Sequence, residues 1–229
     1  MKNQNLTFAE FANRIEENTA ENQRFFSPRR EQLQPVVDAI QRLLDDELDE
    51  LIIETPPRIG KTTLMLYLTA YLLTTRPDEQ VRYKTYSSFL ANEFADHVTE
   101  LMGHISGTTD CPTFSANTAE SCDWLICDEF SPDEESDELV NAEIEGKRIW
   151  IGSRRSAGDP MGQRLALLSG KSHWLEVALP ALNENGESNY DYLYDVGYDT
   201  EYYKKLRKCF CYACDLERWR YVYMCGEVS

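Results

Sequence analysis

A short apolar run followed by a tight loop and Gly60-Lys61-Thr62 constrains this chain more than any other segment. Leu51-Ile52-Ile53 predicts a buried strand, and residues 62–75 place apolar side chains at helical spacing. A loop between a strand and a helix N-terminus presents consecutive backbone N–H groups, which can surround the phosphates of a nucleoside triphosphate. Lys61 would reach the β- and γ-phosphate oxygens, and the Thr62 hydroxyl would bind Mg²⁺. The phosphate-contacting residues that this pattern predicts are Pro57, Arg58, Ile59, Gly60, Lys61, Thr62 and Thr63.

A second motif places two carboxylates directly after an apolar run. Trp124-Leu125-Ile126-Cys127 reads as a buried strand and is followed by Asp128 and Glu129. Open parallel sheets bind ligands at the carboxyl ends of their strands. We expect Asp128 to hold Mg²⁺ and Glu129 to orient and deprotonate the attacking water. An acidic turn at a strand end is the alternative, but the upstream Gly-Lys-Thr loop favours a site.

Strands alternate with helices along the first part of the chain, which indicates an α/β fold with a mainly parallel sheet flanked by helices. After Gly186 tyrosines become dense, and residues 199–221 are predicted as one helical stretch. The boundaries expected are a core with N-terminal helices at 1–185 and a helical extension or lid at 186–229. Helices are also predicted at 7–17, at 88–102, and from Ser27 as N-cap, with a kink or a later start as the alternative because Pro35 lies inside that pattern. Strands are predicted at 81–86 and 149–151, and a loop at 103–121.

Charge and cysteine content restrict the partners and ligands of the chain. The formal charge is −17, so nucleic acid would have to be bound by a local basic patch or by another domain or subunit. No apolar run is long enough for a transmembrane helix, and the N-terminus lacks a signal-peptide core, so we expect neither membrane insertion nor secretion. Buried or idle thiols are favoured over a zinc site for the C-terminal cysteines Cys209, Cys211, Cys214 and Cys225.

Several motifs together resemble the large terminase subunits of tailed bacteriophages. The loop Pro56–Thr62 is similar to their P-P-R-x-G-K-[ST] loop, although Thr55 stands where the generic phosphate-binding motif has glycine. Residues 85–94 resemble S-Y-S-x-x-L-A-x-x-F, and residues 153–162 resemble T-R-W-H-x-x-D-x-x-G with Arg155 and Ser156 in place of Trp and His. The stretch from Trp174 to Leu182 resembles W…LPAL, and residues 219–223 resemble the W-R-x-x-Y that closes the ATPase domain.

The resemblance implies an ATPase domain with the additional-strand P-loop fold, using ATP and Mg²⁺ to drive double-stranded DNA into a procapsid. It implies that the partners are the portal protein, the small terminase subunit and further copies of the chain in a ring of five. It also implies that the protein works in the cytoplasm of the host cell. The nuclease domain that follows the ATPase in this family would lie outside the chain, so we expect no DNA cleavage.

The resemblance also implies roles for individual side chains. Ser153 falls on the motif that couples hydrolysis to movement, and Gln32 on the glutamine that reads adenine. Arg58 lies where the γ-phosphate would sit. Because such rings fire in sequence, an arginine acting in trans is expected, and the candidates beside strand 149–151 are Arg148, Arg154 and Arg155. A pair of plain surface arginines is the alternative for the last two.

Two other functions remain open at this point. A helicase-like or repair DNA-dependent ATPase would share the core chemistry but should carry more basic and aromatic residues for gripping a single strand. A nucleotide-switched adaptor would bind ATP, change partners and turn over little.

Overall fold

Six parallel strands form the centre of the molecule in the computed structural model, which describes residues 6–107, 109–116, 121–129, 146–190 and 198–226. The acidic run 133–138 therefore lies outside the described residues. The strand order is β3-β2-β4-β5-β1-β6, and every pairing is parallel. The strands are β1 (Glu50–Glu54), β2 (Val81–Thr85), β3 (Phe114–Ala116), β4 (Trp124–Asp128), β5 (Lys147–Gly152) and β6 (Trp174–Ala178).

The four central strands are buried on both faces, as expected for a parallel sheet. The strand before the Gly-Lys-Thr loop, β1, does not neighbour the strand that carries Asp128, because β5 lies between β1 and β4. Ile151 of β5 pairs with Ile53 of β1 on one side and with Asp128 of β4 on the other. The carboxyl ends of these three strands therefore finish at one edge of the sheet.

Helices cover both faces, and the period-2 alternation of the strands decides which side chains each face receives. Leu51, Ile53 and Ile126 belong to the large core shared with the first four helices, whereas Ile52 and Trp150 pack with the fifth helix on the opposite face. The helices are α1 (Phe8–Ile15), α2 (Arg30–Leu44), α3 (Lys61–Thr75), α4 (Ser88–Ser106), α5 (Pro160–Leu168), α6 (Thr200–Tyr212) and α7 (Leu216–Met224). None of the helices within the described ranges is long and apolar enough to span a membrane.

The predicted helix start at Ser27 is wrong. A 3₁₀ turn occupies Ser27–Arg29, and α2 begins at Arg30. The Ser27 hydroxyl donates instead to Glu16, 2.7 Å away, and Glu16 also accepts the backbone N–H groups of Phe25, Phe26 and Ser27. Glu16 is buried and therefore needs these donors. Because Ser27 hydrogen-bonds to Glu16, it does not cap the N-terminus of α2.

Three elements were not predicted, and one prediction joined two helices. Strand β3 interrupts the loop expected at 103–121, and β6 and α5 were not assigned at all. Asp159 is nevertheless a sequence signal for α5, because its side chain caps the helix directly before Pro160 at the first position.

The helix expected at 199–221 is α6 and α7, separated at Cys214, which has φ +55°. Both helices pack on Ala181 and Leu182 through Tyr203, Trp219 and Met224.

Candidate functional site

The carboxyl ends of β1, β4 and β5 bring together the loop, the two carboxylates and the serine that the sequence singled out. The loop of residues 55–60 leaves β1 and leads into α3, Asp128 ends β4 with Glu129 directly after it, and Ser153 follows β5. This edge is where an open parallel sheet accommodates a ligand. The candidate site therefore lies at the ends of three neighbouring strands, whose relative positions are fixed by backbone hydrogen bonds.

The backbone of the loop takes two left-handed conformations. Arg58 has φ +69°, and Gly60 has φ +94° as the residue before α3. The first helical hydrogen bond runs from Leu64 N to Gly60 O, so the preceding amides of α3 lack intrahelical partners. A Cβ at Gly60 would lie 2.0 Å from Cε2 of Phe25, so only glycine fits beneath that ring. The loop thus offers a helix N-terminus suited to an anion.

Lys61 is the buried cation of the site. Its Nζ donates to Pro56 O at 3.0 Å and to Ser153 Oγ at 3.1 Å, and forms an ion pair with Glu129 Oε1 at 2.9 Å. These contacts join the loop, β4 and β5 through one ammonium group. A phosphate oxygen at the helix N-terminus would compete with Glu129 for this cation.

Asp128 is a buried carboxylate with one oxygen in use and one without a partner among the described residues. Its Oδ2 accepts the hydroxyls of Thr62 at 2.7 Å and Tyr83 at 2.8 Å, while Oδ1 is buried and has no hydrogen-bond donor there. Burial raises the pKa of Asp128, and the hydrogen bonds from Thr62 and Tyr83 act against it. Burial also raises the pKa of Tyr83, which keeps its hydroxyl a donor. Carboxylate and hydroxyl oxygens are ligands that Mg²⁺ takes, so Asp128 and Thr62 fit that ion.

Glu129 and Ser153 share a contact over the same cation. Glu129 has φ +49°, and its Oε1 lies 3.3 Å from Ser153 Oγ as well as beside Lys61. The Ser153 hydroxyl has a single proton and lies closer to Thr55 O, at 2.9 Å. Ser153 therefore contacts the loop backbone, Lys61 and Glu129, and its role in coupling stays a prediction.

Arg58 is exposed and does not contact the carboxylates. Its Nη1 donates to the hydroxyl of Tyr198, 3.0 Å away, just before α6. Sequence reasoning missed Tyr198, because 140 residues separate the two partners and no local pattern links them. Tyr83 was missed for the same reason, since only the β2–β4 pairing brings it to Asp128.

The three other arginines lie in different surroundings. Arg148 does not flank the site, which corrects its candidacy as a residue acting in trans: it lies at the amino end of β5, is buried, and faces Glu50 at 3.8 Å. Arg154 is held inside the chain by the approach of its Nε to Glu54 Oε1 at 2.7 Å, by Cys225 O at 3.2 Å and by the ring of Tyr221. The side chain of Arg155 is exposed.

Two further predictions concern residues away from this centre. Gln32 lies half-buried in the first turn of α2, and its role in adenine recognition stays a prediction. The C-terminal cysteines are separated, because Cys225 is buried with its Sγ 3.3 Å from Glu54 O, whereas Cys209, Cys211 and Cys214 are exposed. Across the described ranges no three or more His, Cys, Asp or Glu side chains are grouped to hold a metal ion.

Comparison with known proteins identifies a structural relative. No model of a known protein family matches the chain, and no curated protein matches it in sequence. Among solved structures, the crystal structure of the HK97 bacteriophage large terminase is similar, with a TM-score of 0.57 and 14% identity. The match covers 80% of this chain and 49% of that one, so the chain spans about half the length of the terminase. At this identity the likeness shows the fold: an α/β domain of the terminase type.

Proposed function

We propose that this chain is the ATP-hydrolysing motor domain of a viral DNA-packaging terminase. The observation that carries the proposal is the contact set of Lys61, which joins a helix N-terminus suited to phosphate, Glu129 and Ser153. The fold shared with the HK97 large terminase supports it independently. The strand β5 between β1 and β4 agrees with the additional-strand P-loop class.

The residues of the site divide the work of phosphoryl transfer, which consists mainly of positioning and charge neutralisation. Thr62 and Asp128 hold Mg²⁺, which supplies charge stabilisation at the phosphates when it is bound. Lys61 and the amides at the start of α3 hold the phosphate oxygens of ATP. Once Lys61 donates to phosphate, Glu129 loses its cationic partner and is available to accept a proton from water. Arg58 leaves Tyr198 to reach the γ-phosphate.

The proposal extends to the assembly in which such a domain works. Double-stranded DNA, the portal protein, the small terminase subunit and further copies in a ring are the partners, in the cytoplasm of the host cell. Residues 1–185 form the motor core, and residues 186–229 form a helical extension or lid. Of the arginines considered for action in trans, Arg155 is assigned this role because its side chain is exposed.

Replacing the proposed base tests the assignment most directly. Glu129→Gln should retain ATP binding and lower turnover by about 10²–10⁴-fold, the usual contribution of a general base. Hydrolysis is measured with and without linear duplex DNA, and ATP affinity by calorimetry. Glu93→Gln, an exposed glutamate on α4, is the matched control and should behave as wild type. Wild-type turnover in Glu129→Gln, or absence of hydrolysis in the unaltered chain, would refute the proposal.

A further inference from the structure

The outer face of α6 concentrates positive charge in an otherwise acidic chain. The chain carries 40 acidic and 23 basic residues, yet no acidic residue occurs from 202 to 214. Four cations stand within that stretch, and all four are exposed. This basic face of α6 consists of Lys204, Lys205, Arg207 and Lys208.

The helical repeat places these cations away from the core. Tyr203 is buried, and Leu206 and Phe210 pack on the same small cluster against Trp219. Lys204 and Lys208 are one turn apart and project from the opposite side. The ion pair of Lys204 with Glu201 at 3.7 Å is solvent-exposed on both sides and is therefore weak.

We propose that the basic face of α6 contacts the phosphate backbone of double-stranded DNA. The inference rests on the proposed function and names the surface with which the motor domain touches its substrate. Because the whole chain repels polyanions, such contact must be local, and this face supplies the required charge within the described residues. Each strand of a duplex carries about one phosphate per 3.4 Å of axis, so the roughly 6 Å from Lys204 to Lys208 spans about two phosphates of one strand.

Contact through lysines on a helix surface suits a substrate handled without regard to sequence. Phosphate contacts position a duplex but carry no sequence information. Tyr212, 88% exposed, lies two turns beyond Lys205 toward the end of the same face. An aromatic residue beside lysines also suits a single strand, which the experiment below separates from a duplex.

The test compares two triple variants of the full chain with the same change in net charge. Lys204→Gln/Lys205→Gln/Lys208→Gln removes the basic face, and Arg14→Gln/Arg42→Gln/Lys171→Gln removes three exposed cations elsewhere. Binding of a labelled duplex is measured by fluorescence anisotropy across a salt series. The α6 variant should bind at least about tenfold more weakly at low salt, with a salt slope shallower by about 2–3, whereas the control should differ little from wild type.

Three results would overturn the inference. They are equal losses in both variants, tighter binding of single-stranded than duplex DNA by the unaltered chain, and an α6 variant that alters sedimentation of the chain but not its duplex affinity. The last result would assign the face to the acidic surface of a second copy. ATP hydrolysis without DNA, measured on the same samples, separates failure of this inference from failure of the proposed function.

Discussion

Glu50 and Asp128 are both buried carboxylates on central strands, one at the amino edge of the sheet and one at the carboxyl edge. Both oxygens of Glu50 are in use: Oε1 accepts Arg164 Nε at 2.6 Å and Trp150 Nε1 at 2.8 Å, and Oε2 accepts Arg164 Nη2 at 2.6 Å. Asp128 has donors on Oδ2 alone among the described residues. At the amino edge, side chains of the protein itself donate to both oxygens of Glu50. At the carboxyl edge, Asp128 Oδ1 remains an acceptor that a ligand could use.

This difference separates a structural ion network from a binding site built of the same residue types. A buried carboxylate with all its hydrogen bonds made has no capacity left for a ligand. Lys61, by contrast, holds Glu129 through an ion pair that a phosphate oxygen could replace. The completeness of pairing, and not the presence of buried charge, therefore marks the functional edge.

The largest expected effect comes from removing the cation of the carboxyl edge. Lys61→Ala should abolish nucleotide binding or weaken it severely, because it removes the ammonium group that reaches the phosphates. Titration calorimetry with ATP and Mg²⁺ measures the affinity, and Lys171→Ala, at an exposed site, serves as the control. Unchanged affinity in Lys61→Ala would show that the nucleotide does not bind at the carboxyl edge.

Removing Arg164 from the amino edge should lower stability and leave nucleotide binding unchanged. Arg164→Ala leaves Glu50 buried without its bidentate partner, which typically costs about 3–5 kcal/mol of the free energy of unfolding. Urea denaturation measures this loss, while the nucleotide affinity of the folded protein should stay as in wild type.

An apolar replacement of all three charged partners sharpens that result. Glu50→Leu/Arg148→Met/Arg164→Met removes the three buried charges together and should lose less stability than Arg164→Ala alone. A loss below about 1 kcal/mol for the single variant would show that the network contributes as little as a surface ion pair.

The last effect depends on pH and concerns Glu54, which ends β1 below the loop. Burial raises the pKa of Glu54 to about 8, against the opposing charge of Arg154. Because this pKa lies above the ordinary value of 4.5, the stability contributed by protonated Glu54 is lost as the pH rises toward 8. The melting temperature of wild type relative to Glu54→Gln should therefore fall as the pH rises from 4.5 to about 8. Glu184→Gln, an exposed control, should show a constant difference, and the same constancy in Glu54→Gln would contradict the assignment.

The sequence predicted the elements that carry strong local patterns. The apolar runs of β1, β4 and β5 and the Gly-Lys-Thr helix start were found because burial on both faces and a positive φ leave clear signals. Edge strand β3 has three half-buried residues and no such pattern. Arg148 and Arg154 also look alike in sequence, and only the strand direction assigns them to opposite edges.

Contacts of the site between distant segments could not be predicted. Tyr83 reaches Asp128, and Tyr198 reaches Arg58, through the folding of the sheet and the approach of the C-terminal helices. No local pattern encodes a partner at such separation. The loop itself was predictable because its residues are consecutive.

Phe25 over Gly60 has a consequence for how far the chain could be shortened. The ring is fixed by an edge-on contact with Tyr67 and by Arg29, whose Nη1 donates to Phe25 O at 2.8 Å. The segment before α2 therefore forms part of the wall of the site and is no detachable module. A truncated chain starting at residue 30 would retain every strand of the sheet but would uncover the glycine on which the loop turns.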